Sequence, residues 1–163
     1  MGDKLKFDII LSSKFNDALR KAVAPIDSTT AKNVGLYVTQ EMETLISKGI
    51  SPILGNGKFP KYKNPKRYPG NRKPKSPVNL KLTQDFLNGL SYRVVPSTYG
   101  SATELFFGND QEKKESGHRD GVNGQPKRPI LPSVKGENFT KLIRDLYTEL
   151  YRERILEVLK GKG

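Results

Sequence analysis

Few side chains in this sequence could carry a reaction, and their spacing argues against a reaction centre. His118 is the only histidine, and there is no cysteine. A zinc site or a histidine-based triad would rest on one imidazole. Thiolate ligands, a cysteine nucleophile and a disulfide framework are excluded outright. His118 stands in Ser116-Gly-His-Arg-Asp-Gly121, which reads as a loop where an imidazole can simply hydrogen-bond the backbone. Asp110, Glu112 and Lys114 have the residue types of a nuclease carboxylate–lysine cluster. Without a strand to set their register, that spacing arises commonly by chance. Gly55-Asn-Gly57 is a turn, because no Lys-Ser/Thr step follows to make a phosphate loop. No catalytic residue, metal ligand or cofactor is expected, and the chain is not read as an enzyme.

Charge is the stronger signal. The net charge is +12, and eight cations fall in one short stretch without a single acid: Lys58, Lys61, Lys63, Lys66, Arg67, Arg72, Lys73 and Lys75. The rest of the chain carries only +4. The same stretch, residues 56–77, holds Pro60, Pro65, Pro69, Pro74 and Pro77 with Gly57 and Gly70. Proline at that density removes ladder donors and breaks helices, so a basic extended arm is expected. It is too long for an ordinary connection. Tyr62 and Tyr68 interleave the cations, a mixture that can follow phosphates and stack on bases. Three readings stay open for the arm: a solvated loop, a dock for acidic protein neighbours, or a DNA contact. Were all eight cations on duplex phosphates, log K would fall with log salt at a slope of about −7.

The elements that must position these residues read as follows. Leu5, Phe7, Ile9 and Leu11 alternate with Lys4, Lys6, Asp8 and Ile10, the period of a half-buried strand over 4–11. Ser12 and Ser13 cap a short helix to Ala24, which Pro25 stops. A second helix starts at Asp27-Ser-Thr-Thr30 and ends at Gly49, with Ala31, Val34, Val38 and Leu45 inward and Tyr37 and Met42 on its flanks. Gly35 weakens it by roughly 1 kcal/mol relative to alanine, for no reason visible in the sequence. From Ser51 the chain reads as loop and arm until Leu80. Thr83 then caps a turn holding Phe86, Leu87 and Leu90. Strands are expected at 91–95 and 103–107, joined by a loose turn over 96–102. Residues 109–116 are polar and can be helical; 117–128 read as glycine-rich loop.

The last helix is expected from Glu137 to Lys160. Phe139, Leu142, Ile143, Leu146 and Leu150 form one stripe, which should pack on the sheet. Ile143, Tyr147, Tyr151 and Ile155 form a second row at i, i+4 spacing, and Leu159 lies on another face. Tyr147, Tyr151, Ile155 and Leu159 are therefore the expected subunit contacts. The fold class is α+β: a small antiparallel sheet of three to four strands, helices on one face, a long C-terminal helix and the Pro-rich basic arm. A single domain, 1–163, contains all of it. Residues 1–7 lack the apolar run of a signal peptide, and no stretch approaches the about 20 apolar residues of a membrane span, so no membrane partner is expected.

Four stretches, in order, resemble the tail-completion or tail-to-head joining (neck) proteins of long-tailed bacteriophages and the related virion-morphogenesis family. They are Gly49-Ile-Ser-Pro52, Pro77-Val-Asn-Leu-Lys-Leu-Thr-Gln-Asp-Phe-Leu-Asn-Gly-Leu90, His118-Arg-Asp-Gly121 and Pro126-Lys-Arg-Pro-Ile-Leu-Pro132. Gln84 stands where the family carries glycine, and Ile130 where it carries an aromatic. The resemblance implies a structural virion protein of the head–tail junction, made in the host bacterial cytoplasm. Its implied partners are copies of itself in a ring, a hexamer foremost, then the neighbouring neck, connector and tail-terminator or tail-tube proteins. Genomic DNA in the lumen is a further implied contact. The alternative from charge alone is a nucleic-acid-binding protein that uses the 56–77 arm as an electrostatic clamp.

Overall fold

A computed structural model of the chain describes residues 26–61, 78, 80, 85–97, 100–108, 111–121, 126–132 and 136–160. The expected strand over 4–11 and the helix ending at Ala24 lie outside them, as does most of the basic arm.

Helix α1 spans Ser28–Ser47, and both ends follow from their residues. The Asp27 carboxylate accepts the Thr30 N–H at 2.6 Å, which satisfies one of the first-turn donors. At the other end Gly49 takes φ 75°. Its N–H donates to the Ile46 carbonyl, and that of Ile50 to Leu45, the Schellman arrangement that only glycine enters without strain. Ala31, Val34, Val38 and Leu45 are buried as expected. Met42, expected on the flank, is wholly buried, because it continues the Val34–Val38 row at i+4.

A short helix α2 (Asp85–Asn88) leads into a hairpin of β1 (Leu90–Ser97) and β2 (Gly100–Phe107). The strands are longer than expected, and the connection between paired Ser97 and Gly100 is two residues rather than a loose turn. Gly100, the first residue of β2, takes φ 108°, a conformation that glycine enters without a Cβ penalty. Pro96 is tolerated inside β1 because it sits opposite Ser101 in a pair whose N–H groups point away from the ladder. Among the described residues the sheet has two strands, not three to four.

One hairpin face meets α1. The Tyr92 ring lies so close to Gly35 that a Cβ there would stand 2.2 Å from it. Gly35 thus has its reason in tertiary packing: it lets helix and strand approach. On the other face Arg93 and Glu104, directly opposed, form an exposed two-pronged ion pair, with the guanidinium 5.4 Å from the Phe106 ring. Phe86 stacks on Phe107 at 4.9 Å, and both join Val34, Val38, Met42, Ile46, Ile130 and Ile143 in one core.

Residues 51–61, which include the start of the expected 56–77 arm, pack in part into the core. Ser51, Ile53 and Phe59 are buried. Ile50 bridges Lys58, and the Phe59 N–H donates to the Gly49 carbonyl at 2.7 Å. The apolar Ile53 and Phe59 draw this stretch into the core.

Helix α3 (Glu112–Asp120) extends through residues expected to be loop and is closed by Gly121 at φ 71°. The last helix, α4 (Lys141–Leu159), starts later than Glu137. Before it, Leu54 donates to the Asn138 carbonyl, Thr140 donates to that of Pro52, and Phe139 bridges Ile53. Those pairings hold 138–140 extended. α4 packs on α1. Of its expected inner stripe, Ile143 is wholly buried and Phe139, Leu146 and Leu150 pack against the core, while Leu142 is 54% exposed; Tyr147 and Tyr151 of the second row pack there as well.

Candidate functional site

Three places in the described fold concentrate function-bearing side chains. The first is an apolar groove of about 220 Å³. α1 contributes Val34 and Val38, β2 contributes Thr103 and Leu105, and Phe139, Tyr147 and Tyr151 close it from the α4 side. The i, i+4 spacing of Val34 with Val38, and of Tyr147 with Tyr151, is what aligns each pair along the groove. At its rim the Thr103 hydroxyl donates to the Ala31 carbonyl at 2.6 Å, and the Tyr151 hydroxyl stands 3.5 Å from the Thr103 hydroxyl. Arg154 ties the far half of α4 to α1 through a 3.0 Å ion pair with Asp27. The Asp27 carboxyl is held below its usual range, first by the Thr30 N–H and then by other contacts that include Arg154. The groove falls short of the roughly 300–1,000 Å³ of small-molecule sites, and it presents no acid, base or nucleophile pair. It is shaped for one or two apolar side chains.

The second place is Arg128, 1% exposed. Its guanidinium donates to the Pro60 carbonyl at 2.9 and 3.2 Å and to the Lys61 carbonyl at 3.3 Å. The planar fork suits such a pair of acceptors. Arg128 therefore holds the chain at Pro60 and Lys61, inside the cationic stretch. In the sequence Arg128 stands at the end of the 117–128 loop, within the Pro126–Pro132 stretch. The one available signal was a charge set among Pro129, Ile130 and Leu131, where a buried cation needs carbonyl or carboxylate partners.

The third is His118, which lies on α3 rather than in a loop. Its ring is 5.0 Å from that of Phe86, and its carbonyl accepts the Arg128 N–H at 2.6 Å. Burial first, then the Arg128 and Lys114 charges, lower its pKa to about 4, so it is neutral at neutral pH. Beside it Glu115 is buried and paired with Arg119 at 3.0 Å, and burial raises its pKa. No group of three histidine, cysteine or acidic residues able to hold a metal occurs among the described residues. Glu112 and Lys114 are exposed on α3, and Asp110 lies outside the described residues.

Of the eight cations singled out, Lys58 and Lys61 are described, and both are exposed. Lys63, Lys66, Arg67, Arg72, Lys73 and Lys75 lie outside. Of the four expected subunit contacts, Tyr147 and Tyr151 line the groove, Ile155 is half-buried, and the Leu159 side chain lies outside the described residues. No helix among the described residues is long and apolar enough to cross a membrane. No family model matches the sequence, and neither a curated protein nor a solved structure does.

Proposed function

We propose that this chain is a structural subunit of a tailed-phage virion, which forms or joins a ring at the head–tail junction around the DNA channel. It works through the surfaces it offers to its own copies and to adjoining neck, connector and tail proteins. The supporting observation is the convergence of the stretches that carry the family resemblance. The Ser51 hydroxyl donates to the Pro129 carbonyl at 2.7 Å, Arg128 joins His118, and Phe86 lies against His118. Ile130, in place of an aromatic, is wholly buried in the same core. Those residues are thus engaged in holding a scaffold, and their side chains do not converge on a space for substrate.

A ring closes when each subunit presents two different, complementary surfaces. The groove beside Tyr147 and Tyr151 suits one of them. The reading is tested by mass spectrometry of purified tailed particles from cells that carry the gene. The chain should be present at a fixed ratio to the portal and tail-terminator proteins, and its absence from the particles would remove the reading.

The charge concentration supports a second role, contact with nucleic acid. If it operates, filter binding to duplex DNA weakens steeply as salt rises, with a log–log slope approaching about −7. Weak, salt-insensitive binding removes it.

A further inference from the structure

Two open features of the fold lie side by side. β2 pairs with β1 along one edge, and among the described residues only Ile26 bridges its other edge, at Gly100. There the Ser101 N–H donates to the Ile26 carbonyl at 2.8 Å. The hairpin closes on the pair Ser97–Gly100, so alternation turns the N–H and C=O groups of Ser101, Thr103 and Leu105 toward that outer edge. Ser101 is used by Ile26, and the chain then leaves the edge, because α1 begins at Ser28. Thr103 and Leu105 come next along it, and they are the two β2 residues that line the groove. Among the described residues, strand backbone without a partner therefore adjoins an apolar pocket, the arrangement used in strand addition. Main-chain hydrogen bonds there give affinity, and pockets for alternate side chains give specificity.

A segment that fits must be extended, with apolar residues at every second position. Residues 4–11, outside the described part, are such a segment: Leu5, Phe7, Ile9 and Leu11 fall on one face, with Lys4, Lys6 and Asp8 on the other. We infer that residues 4–11 of a neighbouring copy dock as a strand on the outer edge of β2 and set their apolar face into the groove. The donor is assigned to a second copy by the ring reading. A donor strand and an acceptor edge are also the unlike, complementary surfaces that a closed ring requires. This inference rests on the ring reading and supplies its contact.

The test co-expresses two full chains. One is unaltered. The other carries photo-reactive benzoylphenylalanine in place of Tyr147 and the conservative mark Ile9→Val, which lowers the mass of its own 4–11 peptide. Illumination should cross-link the probe to a 4–11 peptide of unaltered mass, which only a neighbour can supply. Capture of the valine-marked peptide alone would assign the groove to the chain's own N-terminal segment and overturn the inference. So would capture of no 4–11 peptide by probes at Tyr147 and, separately, at Tyr151. Light scattering on the same samples separates the two ideas. A multimer without neighbour capture rejects strand donation and leaves the ring, whereas a lone subunit rejects both.

Discussion

At the scale of single residues, the fold depends on a few side chains in unusual settings. Arg128 is the clearest. Removing its buried guanidinium empties a core-side space and breaks the hydrogen bonds to the Pro60 and Lys61 carbonyls, and Arg128→Ala should cost about 2–4 kcal/mol in chemical denaturation. Arg128→Lys should recover little of it, because an ammonium cannot reproduce the fork to Pro60 and Lys61. Full recovery by lysine would show that charge alone matters there.

His118 gives a pH dependence whose sign follows from its depressed pKa. Its folded value of about 4 lies below the ordinary 6.5. As pH falls through that window, the unfolded chain takes up a proton that the folded chain refuses. Stability is therefore intact above the window and is lost across it, by about 2 kcal/mol between pH 7 and pH 5. Glu115 acts in the opposite sense, since its raised pKa lets the folded state take its proton first. His118→Gln should flatten the melting temperature between pH 7 and pH 5; an unchanged slope would place the titration elsewhere.

At the scale of elements, the close approach of α1 and β1 is the contact most open to test. Gly35→Ala gains helix propensity of roughly 1 kcal/mol, but it drives a methyl into the Tyr92 ring. Overpacking of that kind costs about 1–3 kcal/mol, so the net effect should be destabilising in the wild-type background. With Tyr92→Ala the ring is gone, and Gly35→Ala should then stabilise. A double-mutant cycle that showed additivity would refute the packing account.

The same contact shows what was legible in the sequence. Asp27, Gly49 and the Val34–Val38 row announce α1 because caps and periodicity are local signals. The glycine inside it is unreadable because its cause sits 57 positions away at Tyr92. The hairpin was visible as alternation, but its length was misjudged: Pro96 looks like a strand breaker until its outward-facing register is known. α3 was read as loop from Gly117 onward, although its end is fixed by the next glycine, Gly121. The start of α4 was misplaced because Ile53 and Pro52, far upstream, hold residues 138–140 extended. Of the candidate site, Tyr147 and Tyr151 were legible as a row; the groove they border needs α1 and β2 to exist.

At the scale of the whole molecule, charge and assembly belong together. Eight cations fall within residues 58–75, and a buried arginine holds the chain at Pro60 and Lys61. A ring of such subunits would bring many cations together, and their summed field would act on an anionic lumen or an acidic neighbour. The central claim is that the chain works by closing on its own copies. Its most direct test is the mass of the full chain in solution, by light scattering across a dilution series. The account predicts one species at an integral multiple of 18.3 kDa that survives dilution and added salt, as an apolar, strand-paired contact should. A species of 18.3 kDa at every concentration would contradict it.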